Sequence, residues 1–242
     1  MMIENLTSRN GHRLDHHLSS CGIEGAPMVL VGHGVTSHHD RPYFVELCEA
    51  LAARGMDALR FSYAGNGSSG GRYEDATISN EVEDLRGVLD SLGPRKFAYV
   101  GHSMGGAVGV LAAVADERIR ALVSLAGMVR VQEFMERTFG DLVPDRDLML
   151  GREGCPLTSG FLEDASSIGD VLGAASEISV PWLLVHGSAD ELVPFHDSVE
   201  AAEANPRMTN LVELEGADHR FSERHPDLLE AVVPWLASQM DV

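Results

Sequence analysis

The stretch YVGHSMGGAV, residues 99–108, sets a serine between two glycines, directly after one apolar run and directly before another. Ser103 is therefore either the N-cap of a helix, a common use of serine before an apolar run, or a nucleophile lifted onto a sharp turn. Gly101-His102-Ser103-Met104-Gly105 has the G-x-S-x-G spacing. A strand-to-helix turn of that kind is so tight that the serine sits at strained φ/ψ, and side chains two positions to either side would clash. The flanks suit it: KFAYV (96–100) reads as a strand, and MGGAVGVLAAVA (104–115) as a buried helix, apolar on nearly every side.

Working outward, MVLVGHG (28–34), DALRFSY (57–63), IRALVSLAG (119–127), PWLLVHG (181–187) and NLVELEG (210–216) repeat the same short apolar pattern. Continuous rather than alternating apolar runs suit strands buried on both faces of a sheet. Helical stretches separate them. PYFVELCEALAARG (42–55) opens on Pro42 and closes on Gly55, the usual helix asymmetry. ISNEVEDLRGVLDSLG (78–93) puts Val82, Leu85, Val88, Leu89 and Leu92 on one face. ERHPDLLEAVVPWLASQM (223–240) predicts a final amphipathic helix that Pro234 should kink or split. Alternating strands and helices give an α/β fold with a mostly parallel sheet. The segment TSRNGHRLDHHLSS, with weak alternation at Leu14, His16 and Leu18, predicts an antiparallel edge hairpin.

Residues 128–179 break this rhythm, with short helical patterns, two prolines and no clear buried strand. An insertion that long between sheet strands is usually functional. It reads as a small helical cap between a first core part (1–127) and a second (180–242), all in one compact domain.

With 44% apolar and 23% charged residues, the chain has the composition of a globular protein. Eighteen Lys and Arg against 37 Asp and Glu give a formal charge of −19. Such a surface repels nucleic acid and anionic lipid, and it disfavours anionic substrates unless the site is locally basic. No apolar run is long enough to span a bilayer, and the start lacks a basic segment followed by an apolar one. Cys21, Cys48 and Cys155 are scattered, with neither a disulfide framework nor metal spacing. A reduced, cytoplasmic chain is the expectation.

A serine hydroxyl needs a general base, and the base needs an orienting group. In strand–turn–helix architectures of this kind the partners follow in the order Ser, acid, His, beyond later strands. Asp190 in LLVHGSADELVP and His219 in LVELEGADHRF stand in those places. Asp218 adjoins His219 too closely to turn back on its ring, and Glu191 and Asp197 are weaker candidates. His102 and His186 flank strands and read as structural. His196 and His225 fall near helix starts, where exposure is expected. His16-His17 and His38-His39 are adjacent pairs, which point to opposite faces of a strand and make poor metal sites. No metal is expected. The developing oxyanion requires donors, for which the backbone N–H groups of Met104, at a helix start, and Val35, after His33-Gly34, are placed.

LVGHG (30–34), FSYAGNGSSGG (61–71), VGHSMGG (100–106), VHGSADELVP (185–194) and GADHRF (216–221) occur in the order found in the α/β-hydrolase superfamily, which the chain resembles along nearly its whole length. GNGSSGGRYEDATISNEVEDL (65–85) and the short helical insertion resemble the feruloyl/cinnamoyl esterase group, with monoacylglycerol lipases a near alternative. The resemblance implies the α/β-hydrolase fold with a cap insertion, and hydrolysis of small acyl or hydroxycinnamoyl esters without a cofactor. Asn66 stands where the family usually carries a charged residue. A serine nucleophile disfavours the dehalogenases, which use Asp, and the dienelactone hydrolases, which use Cys. Phe134, Met135, Phe139, Leu142, Leu148 and Met149 are the apolar cap residues available to line an acyl pocket or to pack the cap's own core, as are Phe161 and Leu162. The expected partner is a small-molecule ester, with no nucleic acid or membrane, and exposed cap residues could support a homodimer. An acyltransferase or perhydrolase with the same triad, and a non-catalytic binder on this scaffold, are the rival readings.

Overall fold

The structure, a computed structural model, describes Ile3 and residues 5–242. The apolar runs form β2 (Met28–Gly32), β3 (Asp57–Phe61), β4 (Phe97–His102), β5 (Ile119–Leu125), β6 (Trp182–Gly187) and β7 (Thr209–Leu214). These six are parallel, and β1 (His16–Ser19) pairs antiparallel with β3 at one edge, giving the order β1-β3-β2-β4-β5-β6-β7. The segment ahead of β1 contributes a single bridge, Thr7 to Arg13, so an edge strand forms there rather than a full hairpin. The whole has the α/β-hydrolase architecture that the motif order implied.

Each central strand is apolar throughout because each of its faces meets a different core. Met28, Leu30, Phe97, Tyr99, Trp182 and Leu184 belong to one buried cluster, while the alternate residues Val29, Val31, Ala98, Val100, Leu183 and Val185 belong to the other. The first cluster is covered by α2 (Ile78–Leu92), α3 (Met104–Ala115) and α7 (Phe195–Ala204). The second is covered by α1 (Pro42–Ala53) and α8 (His225–Gln239). On α2 the predicted face is the buried one: Leu85, Val88 and Leu89 are fully covered, and Val82 and Leu92 pack against them.

β2 lies between β3 and β4, so the sheet grows one way from β2 to β3 and the other way from β4 onward. That reversal opens a crevice at the carboxyl ends of β2 and β4, the usual ligand position in an open α/β sheet. The 33–35 turn and Ser103 emerge there.

Between β5 and β6 the chain forms α4 (Val131–Phe139), a single turn at Met149–Gly151, α5 (Ser159–Ile168) and α6 (Leu172–Ala175). Phe134, Phe139, Phe161 and Ala175 join the same buried cluster as Tyr99 and Leu85. Arg130 fastens the segment from outside, with Nε 2.7 Å from Glu200 Oε2 on α7 and Nη1 2.9 Å from Asp170 Oδ2.

Of the two effects expected of Pro234, a kink or a split, the split does not occur: α8 runs unbroken through it. A proline removes one hydrogen bond, here to the carbonyl of Glu230, and both residues are exposed, so water takes that carbonyl. Burial of Leu228, Val232, Leu236 and Ala237 holds the helix on the sheet on either side of the gap. Pro234→Ala is expected to stabilise the protein by about 1–3 kcal/mol, since proline is the least favourable residue in a helix interior. Urea unfolding checks this, and an unchanged or lower midpoint contradicts it.

Candidate active site

Ser103 has φ 55° and ψ −119° and is 2% exposed. A non-glycine residue in this region costs on the order of 1–3 kcal/mol and persists only where its surroundings enforce it. Here a Cβ on Gly101 would run into the Gly105 carbonyl, and one on Gly105 would lie 2.7 Å from the His33 carbonyl. The Ser103 amide donates to Leu125 O at 2.9 Å, and its carbonyl accepts from the amides of Gly106 (2.8 Å) and Met128 (3.0 Å). The Ser103 side chain makes no capping bond to α3. It begins the helix without serving as its cap. The carbonyl of Ser103 and the N–H of Met104 belong to one trans peptide, so anchoring the first turns the second the opposite way.

The same logic operates on the facing loop. Nε2 of His33 accepts from the Tyr63 amide at 3.2 Å, so its Nδ1 carries the proton and donates to the Gly34 carbonyl at 2.8 Å. Burial pushes the His33 pKa down to about 3 and keeps the ring neutral. The Gly34 carbonyl is thereby held toward His33, and the Val35 N–H of that peptide is directed away from it. A Cβ on Gly34 would lie 2.7 Å from Ser103 Cβ, which is why this loop can come so near the serine.

Asp190 and His219, from the turns after β6 and β7, meet: His219 Nδ1 donates to Asp190 Oδ2 at 2.8 Å. The Asp190 carboxylate is fully buried. Its Oδ1 accepts from the amides of Leu192 and Val193, both at 2.8 Å, and His186 Nε2 approaches Oδ2 at 3.2 Å. Burial works to raise its pKa, but the hydrogen bonds from His186 and His219 outweigh that and hold it well below the usual carboxylate range. His102 packs against His219 with ring centroids 4.7 Å apart. Its Nε2 donates to the His219 carbonyl at 2.8 Å, and its Nδ1 accepts from the Tyr43 hydroxyl at 3.2 Å. Burial, then the charge of His219, push the His102 pKa down to about 3, so it remains a neutral prop. Asp218 instead closes its own turn, accepting from Arg220 N, Ser222 N and Ser222 Oγ.

Ser103 and His219 line one cavity of about 40 Å³ together with Gly34 and Val35. Their side chains make no hydrogen bond to each other in this structure; such links often close only with substrate in place. None of the six apolar residues considered for the pocket lines this cavity. Phe134, Met135, Phe139 and Met149 are buried in the core, Leu142 packs against it, and Leu148 is 39% exposed. The apolar face of α4 packs toward α5 and joins the buried core rather than the cavity. Phe161 is likewise buried in the core, and Leu162 packs against it.

The cavity takes Leu150 and Arg152 from the insertion, Leu192 from the Asp190 turn, Arg41 from the turn before α1, and Arg220. Sequence reasoning passed these over. Arg220 alone carried a local signal, being the residue after His219. Asn66 is buried and spans its own loop, donating to the Ala64 carbonyl from its side chain. His225, expected to be exposed, is half-buried and 3.1 Å from Glu46 Oε1. Among the described residues no group of three His, Cys, Asp or Glu could hold a metal ion, and no helix is long and apolar enough to cross a membrane.

Residues 25–159 match the Hydrolase_4 family model, described as serine aminopeptidase, S33. The chain belongs to this family. The hydrolase superposes on Est1E from Butyrivibrio proteoclasticus, solved with ferulic acid bound, with TM-score 0.89 and 26% identity over 98% of this chain and 99% of that one. It is 27% identical to a putative carbamate hydrolase, RutD, of Azorhizobium caulinodans, over 90% of this chain and 93% of that protein. It is also 27% identical to the mitochondrial palmitoyl-protein thioesterase ABHD10 of Bos taurus, over 74% of this chain; the match spans 61% of the thioesterase. The chain has the α/β-hydrolase fold, and the family it belongs to is one of serine hydrolases.

Beneath the site, Asp197 is 4% exposed and its Oδ2 has no partner among the described residues. Burial pushes its pKa up to about 6. The unfolded chain releases this proton near pH ~4. Between the two values the folded protein binds more protons, so stability falls as pH rises from about 4 to 6 and stays lower above. Asp197→Asn is expected to stabilise the protein on the order of 1–2 kcal/mol at pH 8 and little at pH 4. Equal effects at both pH values in urea unfolding would refute this.

Proposed function

We propose that the protein is a carboxylic-ester hydrolase that works through an acyl-enzyme. One observation carries the reading: His219, held by the buried Asp190, lines the same cavity as Ser103, a serine held at positive φ on a tight strand-to-helix turn. Ser103 Oγ attacks the ester carbonyl as His219 Nε2 takes its proton. Asp190 fixes the ring with Nδ1 protonated, which leaves Nε2 bare for that task, and it stabilises the imidazolium that forms. The N–H groups of Val35 and Met104 receive the oxyanion. The alcohol departs with the proton from His219. Water, deprotonated by the same nitrogen, then releases the acid and restores Ser103. No cofactor enters these steps.

The relatives named as a thioesterase and a putative carbamate hydrolase, and the ferulic acid bound in Est1E, all concern an acyl or carbamoyl carbon, and they support acyl transfer to water here. The substrates in this reading are small acyl or hydroxycinnamoyl esters, whose acyl part meets Leu150 and Leu192 at the cavity wall. In this reading residues 128–179 are the cap, and the three free cysteines suit a reduced compartment such as the cytoplasm.

Ser103→Ala is expected to lower kcat on p-nitrophenyl acetate by several powers of ten, on the order of 10⁶ by comparison with serine proteases. A fluorophosphonate probe should label the unsubstituted protein at Ser103. Hydrolysis at the parental rate by the variant, or no adduct on Ser103, would overturn the mechanism.

A further inference from the structure

On a chain of net charge −19, about half of the arginines lie beside carboxylates, and Arg9, Arg118 and Arg130 each bridge more than one. Arg41, Arg152 and Arg220 do not. They come from three separate turns, yet all line the cavity that holds Ser103. Among the described residues none of the three forms an ion pair. The acidic neighbours along the chain are engaged elsewhere or turned out. Asp40 pairs with Arg60 and His39, each at 3.1 Å. Asp218 is taken up by the amides of Arg220 and Ser222 and the Ser222 hydroxyl. Glu153 is exposed and makes no ion pair.

Arg41 is half-buried, and only its Nε is occupied, donating to Ser37 Oγ at 2.9 Å. Burial, then the charges of Arg152 and Arg220, push its pKa down, the mark of cations crowding one another without relief. Three unpaired guanidinium groups converging on one cavity are unfavourable by themselves. A ligand oxyanion removes the repulsion and fits the planar fork, which binds carboxylate or phosphate through two parallel hydrogen bonds. Arg152 is half-buried and Arg220 exposed, so both remain open to solvent where they line the cavity.

We propose that the substrate is an ester bearing an anionic group, a carboxylate or a phosphate, held by Arg41, Arg152 and Arg220 while Ser103 acts on the ester carbon. This rests on the ester-hydrolase reading for the reaction and adds the charge of the substrate. The anion can belong to the acyl part, as in a monoester of a dicarboxylic acid, or to the alcohol, as in an ester of a phosphorylated polyol.

Two matched pairs of substrates test it, at about 0.1 M salt so that the protein's overall negative field is screened beyond roughly 10 Å. The first pair is p-nitrophenyl butyrate and mono-p-nitrophenyl glutarate; the second is 1-butyrylglycerol and its 3-phosphate. In at least one pair kcat/KM should favour the anionic ester tenfold or more, and the pair that does so identifies which part carries the charge. Arg152→Gln combined with Arg220→Gln should lower that anionic-to-neutral ratio at least tenfold, while Arg220→Lys alone should keep part of it. The ratio is insensitive to a loss of folded protein, which affects both members alike. Hydrolysis of the neutral esters without an anionic preference, or a ratio unchanged within twofold in the double variant, overturns this inference alone. No hydrolysis of any of the four esters, together with no labelling of Ser103, overturns the ester-hydrolase reading and this inference with it.

Discussion

Where β2 and β4 end, two turns come so close that side chains have no room between them. A Cβ on Gly101 or Gly105 would strike backbone, and one on Gly34 would strike Ser103 itself. This nesting, at the point where strand order reverses, is the constraint on which the site depends. It forces the left-handed conformation at Ser103, brings the 33–35 turn alongside, and sets the start of α3 beneath the serine. Backbone hydrogen bonds, from the Ser103 amide to the Leu125 carbonyl at the end of β5 and from the Met128 amide to the Ser103 carbonyl, lock the arrangement.

Around this backbone frame sits a layer of histidines whose protons are fixed by their partners. His33 and His102 are both buried and neutral, and each has one nitrogen donating to a carbonyl and the other accepting. Their carbonyl partners belong to Gly34 and His219, residues that line the cavity. Imidazole suits this role because it spans two opposed hydrogen-bonding groups with a rigid ring. A shorter or single-ended side chain would leave one buried backbone group unpaired.

The strands, the elbow and the Asp190–His219 meeting were legible in the sequence because each has a short-range signature: continuous apolar runs, glycines at fixed offsets, and polar residues directly past strand ends. The course of α8 through Pro234 was not legible, since the effect of a proline depends on whether the orphaned carbonyl faces water, a tertiary property. The cavity lining was read less well. Phe134, Phe139 and Met149 are apolar residues in the right segment, but apolarity says only that a side chain is buried, and the core took them in. The residues that do face the cavity, Leu150, Arg152 and Leu192, lie in turns without periodicity. Arg41 and Arg220 were hidden by the chain's overall charge, which carries no information about where the few cations gather.

The insertion's packing divides its residues into two kinds. Those on α4 and α5 share a core with the sheet and are fastened through Arg130, so changing them disturbs the fold. Leu150, 40% exposed, and Arg152, half-buried, reach the cavity from a surface turn and have few obligations to the interior. Substitution at these positions can therefore redraw what the site accepts while leaving folding nearly untouched. On the proposed reading, selectivity would rest on a surface turn and catalysis on the backbone frame beneath it.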